Sequence, residues 1–192
     1  FKIPEKKEVV VKKKEQKVLA PKSAAPTTTA DDHYQLAQKK RGHLAVTEIN
    51  KAIAIEPNNL DYRKLRAQKL MTDGAQKEAL LMAIDDLTFV ANNGGEHYKV
   101  YGGIATCYME LSGETLRLKT PEIKKDPFGD NTAYTNAYKE IYKERIAYYN
   151  KALIAISKGA DLGAEKHKVD NARQSILEKI SKLEKEMNEL KD

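Results

Sequence analysis

Residues 60–72 read LDYRKLRAQKLMT and residues 75–93 read AQKEALLMAIDDLTFVANN, and this pair of segments decides the fold. Each has apolar residues at helical spacing, and the Asp73-Gly74 dipeptide between them breaks a helix. Two amphipathic runs separated by one breaker predict two helices that pack as an αα-hairpin. The 34 residues from Leu60 to Asn93 therefore form one helical unit, and its spacing can be sought elsewhere in the chain.

The composition places limits on the class of protein. The chain has 192 residues, enough for one domain with its own core and a tail. No apolar run approaches the roughly 18 residues that a membrane-spanning helix needs, so no transmembrane segment is predicted. Of the net charge of +6, the first 29 residues carry +5, and the remainder is almost neutral.

Residues 1–30 are predicted to be a tail or linker, and residues 31–192 a helical domain. The tail is rich in Lys, Pro and Thr, a composition that cannot bury a core. It is interpreted as a solvated spacer, with Val9-Val10-Val11 as an alternative strand that adds to a partner's sheet. The first residue is Phe, and with the basic spacer this favours an exported, periplasmic or envelope protein over a cytoplasmic one.

A helix capped by Asp31-Asp32 is predicted to run from His33 to Lys40 and to end at Gly42. A second helix follows, with apolar residues on one face and a stop at Pro57-Asn58-Asn59. The 34-residue period now appears: Ala79 follows Ala45 by 34 residues, and Asn92-Asn93 follow Asn58-Asn59 by the same interval.

This register resembles the tetratricopeptide repeat (TPR) family, whose units are helix pairs of 34 residues with small residues where the helices cross. The matching small residues of the central unit are Ala67, Ala79 and Ala83. Three residues depart from the family pattern: Arg63 replaces a large aromatic residue, Asp86 an alanine and Ala91 the terminal proline. The resemblance implies an all-α, right-handed superhelix of about three repeats, near residues 32–59, 60–93 and 98–157.

The third repeat is irregular. Tyr101, Ile104, Ala105 and Tyr108 match the family's first helix, four residues later than the period predicts because of Gly94-Gly95-Glu96-His97. The matching second helix appears only at Tyr149, so roughly 28 residues are inserted. The insertion is assigned to residues 114–131, followed by a continuous helical pattern from about Thr132 to Ser157.

A last helix is predicted over residues 164–190, after a turn at residues 158–163 that is rich in glycine. Its apolar residues recur every three or four positions: Val169, Ile176, Ile180, Leu183, Met187 and Leu190. A solenoid must cover its last apolar face, so we interpret this helix as a cap. The alternative is self-association or a coiled coil with a partner.

The sequence indicates neither an enzyme nor a cofactor or metal site. The four histidines fall in different segments, and none forms a ligand pair with a neighbour at helical spacing. Cys107, the only cysteine, lies on a predicted core-facing helix and is interpreted as a small apolar residue. The segment Asp126 to Asn131 lacks the ligand order of a calcium loop and is interpreted as a turn that caps a helix.

Two surfaces are predicted to bind a partner. In TPR proteins the first helices line a groove that holds extended peptides, and the resemblance places Asp61, Lys64, Gln68, Met71, Lys99, Thr106 and Met109 there. Lys64 and Lys99 are candidates to clamp a carboxylate, although Gln68 stands where the family's asparagine would be. The second surface is the stripe Tyr134, Tyr138 and Tyr142, which either packs on the repeats or forms an aromatic groove for a peptide or glycan.

The predicted function is that of a non-enzymatic adaptor or scaffold in a multiprotein, cell-envelope assembly, binding a protein or peptide partner. The alternative is binding of a polyanion, either nucleic acid or an anionic surface, through the basic tail. Glutamates interleaved with the tail lysines, and the nearly neutral domain, argue against nucleic acid.

Overall fold

A computed structural model describes residues 28–72, 76–95, 97–119 and 129–190, and in these ranges every regular element is an α-helix. The tail up to residue 27, its Val9-Val10-Val11 segment, the Asp73-Gly74 turn and residues 120–128, half of the 114–131 insertion, lie outside the described residues. The seven helices are α1 (Ala30–Lys39), α2 (Gly42–Ile55), α3 (Leu60–Thr72), α4 (Lys77–Asn92), α5 (Tyr98–Lys119), α6 (Thr132–Asp161) and α7 (Lys166–Glu189).

Each helix packs mainly on the helices that precede and follow it in the chain. Two apolar clusters lie between them. The smaller one joins α1, α2 and α3 around Ile49 and Tyr62. The larger one runs from α3 to α7, and Leu80, Val90, Leu111 and Ile176 are among its fully buried side chains. No described helix is both long enough and apolar enough to span a membrane.

Polar side chains define the helix ends of the first two pairs. The N-cap of α1 is Thr29, not the predicted Asp31-Asp32, because the Thr29 hydroxyl accepts a hydrogen bond from the Asp32 backbone N–H. The Asp32 carboxylate in turn accepts from the Thr29 backbone N–H at 2.8 Å, which completes a capping box. Asn59 caps α3 in a similar way, accepting from the backbone N–H groups of Asp61 and Tyr62.

The prediction of two all-helical pairs before Asn93 agrees with α1–α4, and the turn after α4 has a clear cause. Gly94 has φ +89°, a conformation that L side chains rarely adopt. The Gly95 backbone N–H then donates to Val90 O at 2.9 Å and closes the end of the helix. The Gly94-Gly95 pair is thus the stop signal of α4.

The irregular third pair is built from longer helices. Helix α5 has 22 residues and continues through 114–119, which the sequence assigned to the insertion. Helix α6 has 30 residues and is continuous from Thr132 to Asp161. It therefore includes residues 158–161, which were predicted to be a turn. Gly159 is buried there, and a Cβ at this position would lie 3.5 Å from Tyr98 O and 3.6 Å from Tyr101 Cβ, so packing on α5 extends α6.

Helix α7 buries four of its six predicted apolar positions, Val169, Ile176, Ile180 and Leu183, in the larger core cluster. This stripe packs on the chain's own core, and the role of α7 as the cap of a solenoid stays a prediction. Self-association through α7 stays a prediction and would use its other face, where Leu177 is 51% exposed beside the exposed side chains of Asp170, Gln174, Ser181 and Glu184.

Candidate partner-binding surfaces

The predicted groove residues of α3 are not equally available. Lys64 and Gln68 are exposed, and the Lys64 ammonium donates to Asp61 Oδ1 at 3.1 Å within its own helix. Met71 is half-buried and packs against the larger core cluster. Lys64 therefore has an intrahelical carboxylate partner, and Met71 contributes to packing.

The predicted groove residues of α5 also divide into packed and free side chains. Met109 is half-buried against the larger cluster, and the Thr106 hydroxyl donates to Gly102 O at 3.0 Å. Lys99 is exposed and forms no ion pair with another residue in the described part of the chain. Of the two predicted clamp residues, Lys64 and Lys99, only Lys99 has no carboxylate partner among the residues that the structure describes.

The tyrosine stripe of α6 forms a row of rings. The Tyr134 and Tyr138 ring centroids are 4.6 Å apart, and those of Tyr138 and Tyr142 are 6.3 Å apart. All three side chains are half-buried, and Tyr142 packs against the larger core cluster. Burial is the main cause that raises the pKa of Tyr142, with Glu186 of α7 adding to it. Tyr142 thus contributes to packing, which was the first of the two alternatives predicted for the stripe.

Lys99 lies in a cleft between α5, the end of α6 and the start of α7, which we term the Lys99 cleft. It encloses about 400 Å³. Its lining is mostly apolar and includes Tyr98, Gly102, Ile156, Gly159, Ala164, Val169 and Ala172, with Lys99, Glu165 and Lys168 as its charged residues. The Lys168 ammonium donates to Glu165 at 2.5 Å, and this hydrogen bond raises the pKa of Lys168 and lowers that of Glu165.

A second cleft lies on another face of the α5–α6 pair, next to α4, and we term it the Lys151–Lys158 cleft. It encloses about 200 Å³. Its lining residues are Thr88, Ala91, Asn92, Tyr101, Ile104, Tyr108, Lys151, Ile154, Ala155 and Lys158. The Lys158 ammonium lies 5.7 Å from the centroid of the Tyr101 ring, and that of Lys151 lies 5.6 Å from those of Tyr108 and Tyr148.

The sequence-based prediction did not include Lys151 and Lys158. A signal was present, because Tyr101 and Tyr108 are seven residues apart and Lys151 and Lys158 have the same spacing. The spacing alone does not show which lysine lies over which ring. The antiparallel packing of α5 on α6 places Lys158 over Tyr101 and Lys151 over Tyr108. Burial raises the pKa of Tyr108, and the charge of Asp85 contributes to that rise.

Apart from the two clefts, a buried cluster of charged residues joins α3 to α4. Asp86 is fully buried, and its Oδ1 accepts hydrogen bonds from Arg63 Nη1 at 3.0 Å and Arg66 Nη2 at 2.7 Å. Its Oδ2 accepts from Arg66 Nε at 2.6 Å. The Arg63 guanidinium also lies 3.9 Å from the centroid of the Phe89 ring. Two departures from the repeat pattern, Arg63 and Asp86, are thus partners in one structural ion pair.

Two findings in the described ranges concern the Cys107 thiol and metal ligands. Cys107 is fully buried, and burial raises the pKa of its thiol to about 11, so the thiolate that a nucleophile requires is disfavoured. Across residues 28–72, 76–95, 97–119 and 129–190, no group of three or more His, Cys, Asp or Glu side chains is placed to hold a metal ion.

Comparison of the chain with models of protein families, with curated proteins and with solved structures finds no match in any of the three. The geometry of the clefts is therefore the basis on which a function is proposed.

Proposed function

We propose that this chain is a non-enzymatic protein-interaction module that binds a segment of a partner polypeptide in the Lys99 cleft. The Lys99 cleft itself is the observation that carries the proposal. It combines a mostly apolar wall with an exposed ammonium that has no ion-pair partner in the described chain. Binding sites are typically concave and apolar, with a few polar groups that fix the orientation of the ligand.

A TPR-like stack is the finer fold that we infer for the helices. Packing of each helix on its neighbours in sequence supports it, as does the burial of Ala45, Ala67 and Ala83, the small residues of the repeat register. In such a stack α5 is the first helix of the third pair, and α7, which packs on α6, occupies the next position. The Lys99 cleft would then open on the surface that the family resemblance assigns to peptides.

A partner segment that suits this cleft presents an apolar side chain to Ile156, Val169 and Ala172 and an acidic group to Lys99. Preformed helices spare part of the ordering cost of binding, because only the partner segment must become ordered. Recognition without chemistry agrees with the buried Cys107 thiol. Membership of a cell-envelope assembly and export remain predictions from the sequence.

The experiment uses two glycines of α5 that are exposed. A Cβ added at Gly102 or at Gly113 would meet no heavy atom within 4 Å, so each position has room for a larger side chain. Gly102 lines the Lys99 cleft, whereas Gly113 does not. Gly102→Trp is expected to fill the cleft, and Gly113→Trp is the matched control on the same helix.

The 192-residue chain, with the native sequence, Gly102→Trp or Gly113→Trp, would be used to capture partners, which would be quantified by mass spectrometry. The purified partner would then be titrated against each chain. We expect Gly102→Trp to weaken binding about tenfold or more and Gly113→Trp to leave it unchanged. Equal binding by all three chains, with native circular dichroism spectra, would show that the Lys99 cleft is not the site.

A further inference from the structure

We infer that the Lys151–Lys158 cleft is a second docking site, which takes an acidic segment of a partner protein. It lies on another face of the α5–α6 pair, beside α4 rather than α7, so it does not depend on occupation of the Lys99 cleft. The inference goes beyond the proposed function because it adds a site and specifies the charge of the segment that binds there.

In the described part of the chain, the lining of the cleft has two lysines and no acidic residue, and Asp85 of α4, whose charge reaches Tyr108, forms no ion pair with either lysine. The side chains of Lys151 and Lys158 are exposed, and neither forms an ion pair with any residue of the described chain. Two other exposed lysines do have such partners: Lys51 of α2 lies 3.4 Å from Glu48, and Lys64 of α3 lies 3.1 Å from Asp61. The tyrosine rings hold the two ammonium groups in place without neutralising them. An acidic group from a partner protein would form an ion pair with each of the two ammonium groups.

The floor of the cleft is apolar. Ile154 stands between the two lysines on α6 and is 60% exposed, the highest fraction among the large hydrophobic residues in the described ranges. Ile104 and Ala155 lie beside it. The enclosed volume of about 200 Å³ suits one large side chain, since an engineered apolar cavity of roughly 150 Å³ holds benzene. The occupant therefore needs an apolar side chain as well as acidic ones.

The spacing specifies the occupant further. Lys151 and Lys158 are seven residues apart on one continuous helix, which separates their Cα atoms by about 10.5 Å. A partner helix with glutamates seven residues apart and leucines between them has the same spacing and presents all of them on one face. Its acidic groups would meet the two ammonium groups while a leucine covers Ile154.

Nucleic acid fits this cleft less well. Single-stranded nucleic acid binds through a basic groove together with aromatic faces on which bases stack. Here Tyr101 is buried, and lysines lie over the faces of both Tyr101 and Tyr108, so the rings are not open to a base. The chain's own tail fits poorly too, because its eight lysines would face two more lysines.

The probe is a helical peptide, fluorescently labelled, with two glutamates seven residues apart and leucines between them. Fluorescence anisotropy would measure its binding to the full chain. Lys151→Gln/Lys158→Gln is expected to weaken binding about tenfold, and added salt to weaken the native interaction. Lys39→Gln/Lys166→Gln changes two exposed lysines outside the cleft, so it makes the same change in net charge and should bind like the native chain.

A charge-reversal experiment distinguishes the loss of direct contacts with the peptide from an effect of the substitutions on folding. The variant Lys151→Glu/Lys158→Glu is expected to bind a peptide in which lysines replace the two glutamates, and to bind it better than the native chain does. Such a reversal would not follow from partial unfolding. Replacing Glu5, Glu8 and Glu15 of the tail by Gln should leave binding of the acidic peptide unchanged at raised ionic strength, where the three added units of charge are screened.

Four results would overturn the inference: no binding of the acidic peptide to the native chain, equal loss in both Lys→Gln variants, no loss in either, or failure of the charge exchange. Tighter peptide binding after the tail substitutions that persists at raised ionic strength, where the three added units of charge are screened, would also overturn it, since the tail would then be the occupant. A single-stranded oligonucleotide bound through Lys151 and Lys158 in preference to the peptide would assign the cleft to nucleic acid instead.

Discussion

Helices α3 and α5–α6 each present two basic residues near aromatic rings, but they use them in opposite ways. Arg63 and Arg66 converge on the buried carboxylate of Asp86, and Arg63 covers Phe89. Lys151 and Lys158 cover tyrosine rings of α5 and have no carboxylate partner in the described chain. The first pair of cations is satisfied inside the molecule, and the second is exposed to solvent and to ligands.

The difference shows how departures from a repeat pattern are to be read. Asp86 and Arg63 look like defects of the pattern when each is considered alone. Together they form a hydrogen-bonded ion pair with Arg66, so they concern the stability of the hairpin. Lys151 and Lys158 break no pattern, yet their unbalanced charge marks a surface that is free to bind. The two pairs of basic residues differ in where their acidic partner lies. The arginines have it inside the molecule, and the lysines would find it only on another molecule.

The largest effect is expected for Asp86→Ala. This change removes the buried carboxylate and leaves two guanidinium groups without their partner, which typically costs about 3–5 kcal/mol. We expect the free energy of unfolding, measured in urea, to fall by that amount. The contrasting variant Lys151→Gln/Lys158→Gln should change the free energy of unfolding by less than about 0.5 kcal/mol. Similar losses in the two variants would abolish the distinction between internal and external cations.

A smaller effect is expected where the same α3–α4 hairpin packs closely. Ala83 is fully buried, whereas Ala79 is half-buried. Ala83→Leu should overpack the helix interface and destabilise the chain by about 1–3 kcal/mol. Ala79→Leu should cost less, since part of the added side chain can reach solvent. A thermal unfolding midpoint of Ala83→Leu equal to that of the native chain would argue against the close helix crossing that a TPR-like pair requires.

The smallest effect concerns a second internal cluster, between α1 and α2. Glu48 Oε1 accepts from the Lys40 ammonium at 2.9 Å, and Oε2 lies 2.8 Å from His33 Nδ1. These contacts lower the pKa of Glu48 from 4.5 to about 2, with Lys40 as the main cause. A carboxyl group with a lowered pKa in the folded state stabilises that state above pH 4.5, and this contribution is lost as the pH falls towards 2.

Glu48→Gln should therefore lower the melting temperature at pH 6 and reduce its decline between pH 4.5 and pH 2, followed by circular dichroism. Glu184→Gln changes an exposed glutamate of α7 and serves as the control. If the melting temperatures of Glu48→Gln and the native chain fall in parallel over this range, the Glu48 cluster is not a source of acid sensitivity.

The sequence predicted the helices well where periodicity and breakers agreed. The apolar stripe of α7 was identified residue by residue, and its first four members are buried. The prediction failed at those helix ends whose position is set by side-chain hydrogen bonds or by packing on another helix. Gly159 was expected in a turn, but packing against Tyr98 and Tyr101 keeps it in α6. Asp31-Asp32 was expected to cap α1, but Thr29 does so because its hydroxyl can reach the Asp32 N–H.

The residues of the candidate site were likewise predicted only in part. Lys99 was predicted from the sequence and lies in a cleft, and the tyrosine row of α6 was predicted from its spacing. The ion pair of Lys64 with Asp61 and the packing of Met71 could not be read from a family pattern, because each depends on a neighbour's position. Lys151 and Lys158 were missed for that reason as well.

The sequence by itself determined the all-helical class and the order of the helices, because helical periodicity and helix-breaking residues are local properties of a chain. Only the tertiary structure decided which polar groups are satisfied. It places Asp86 between two arginines and leaves Lys151 and Lys158 above tyrosine rings without a carboxylate in the described chain. The physical reason is that burial and pairing depend on residues distant in sequence, which come together only when helices pack.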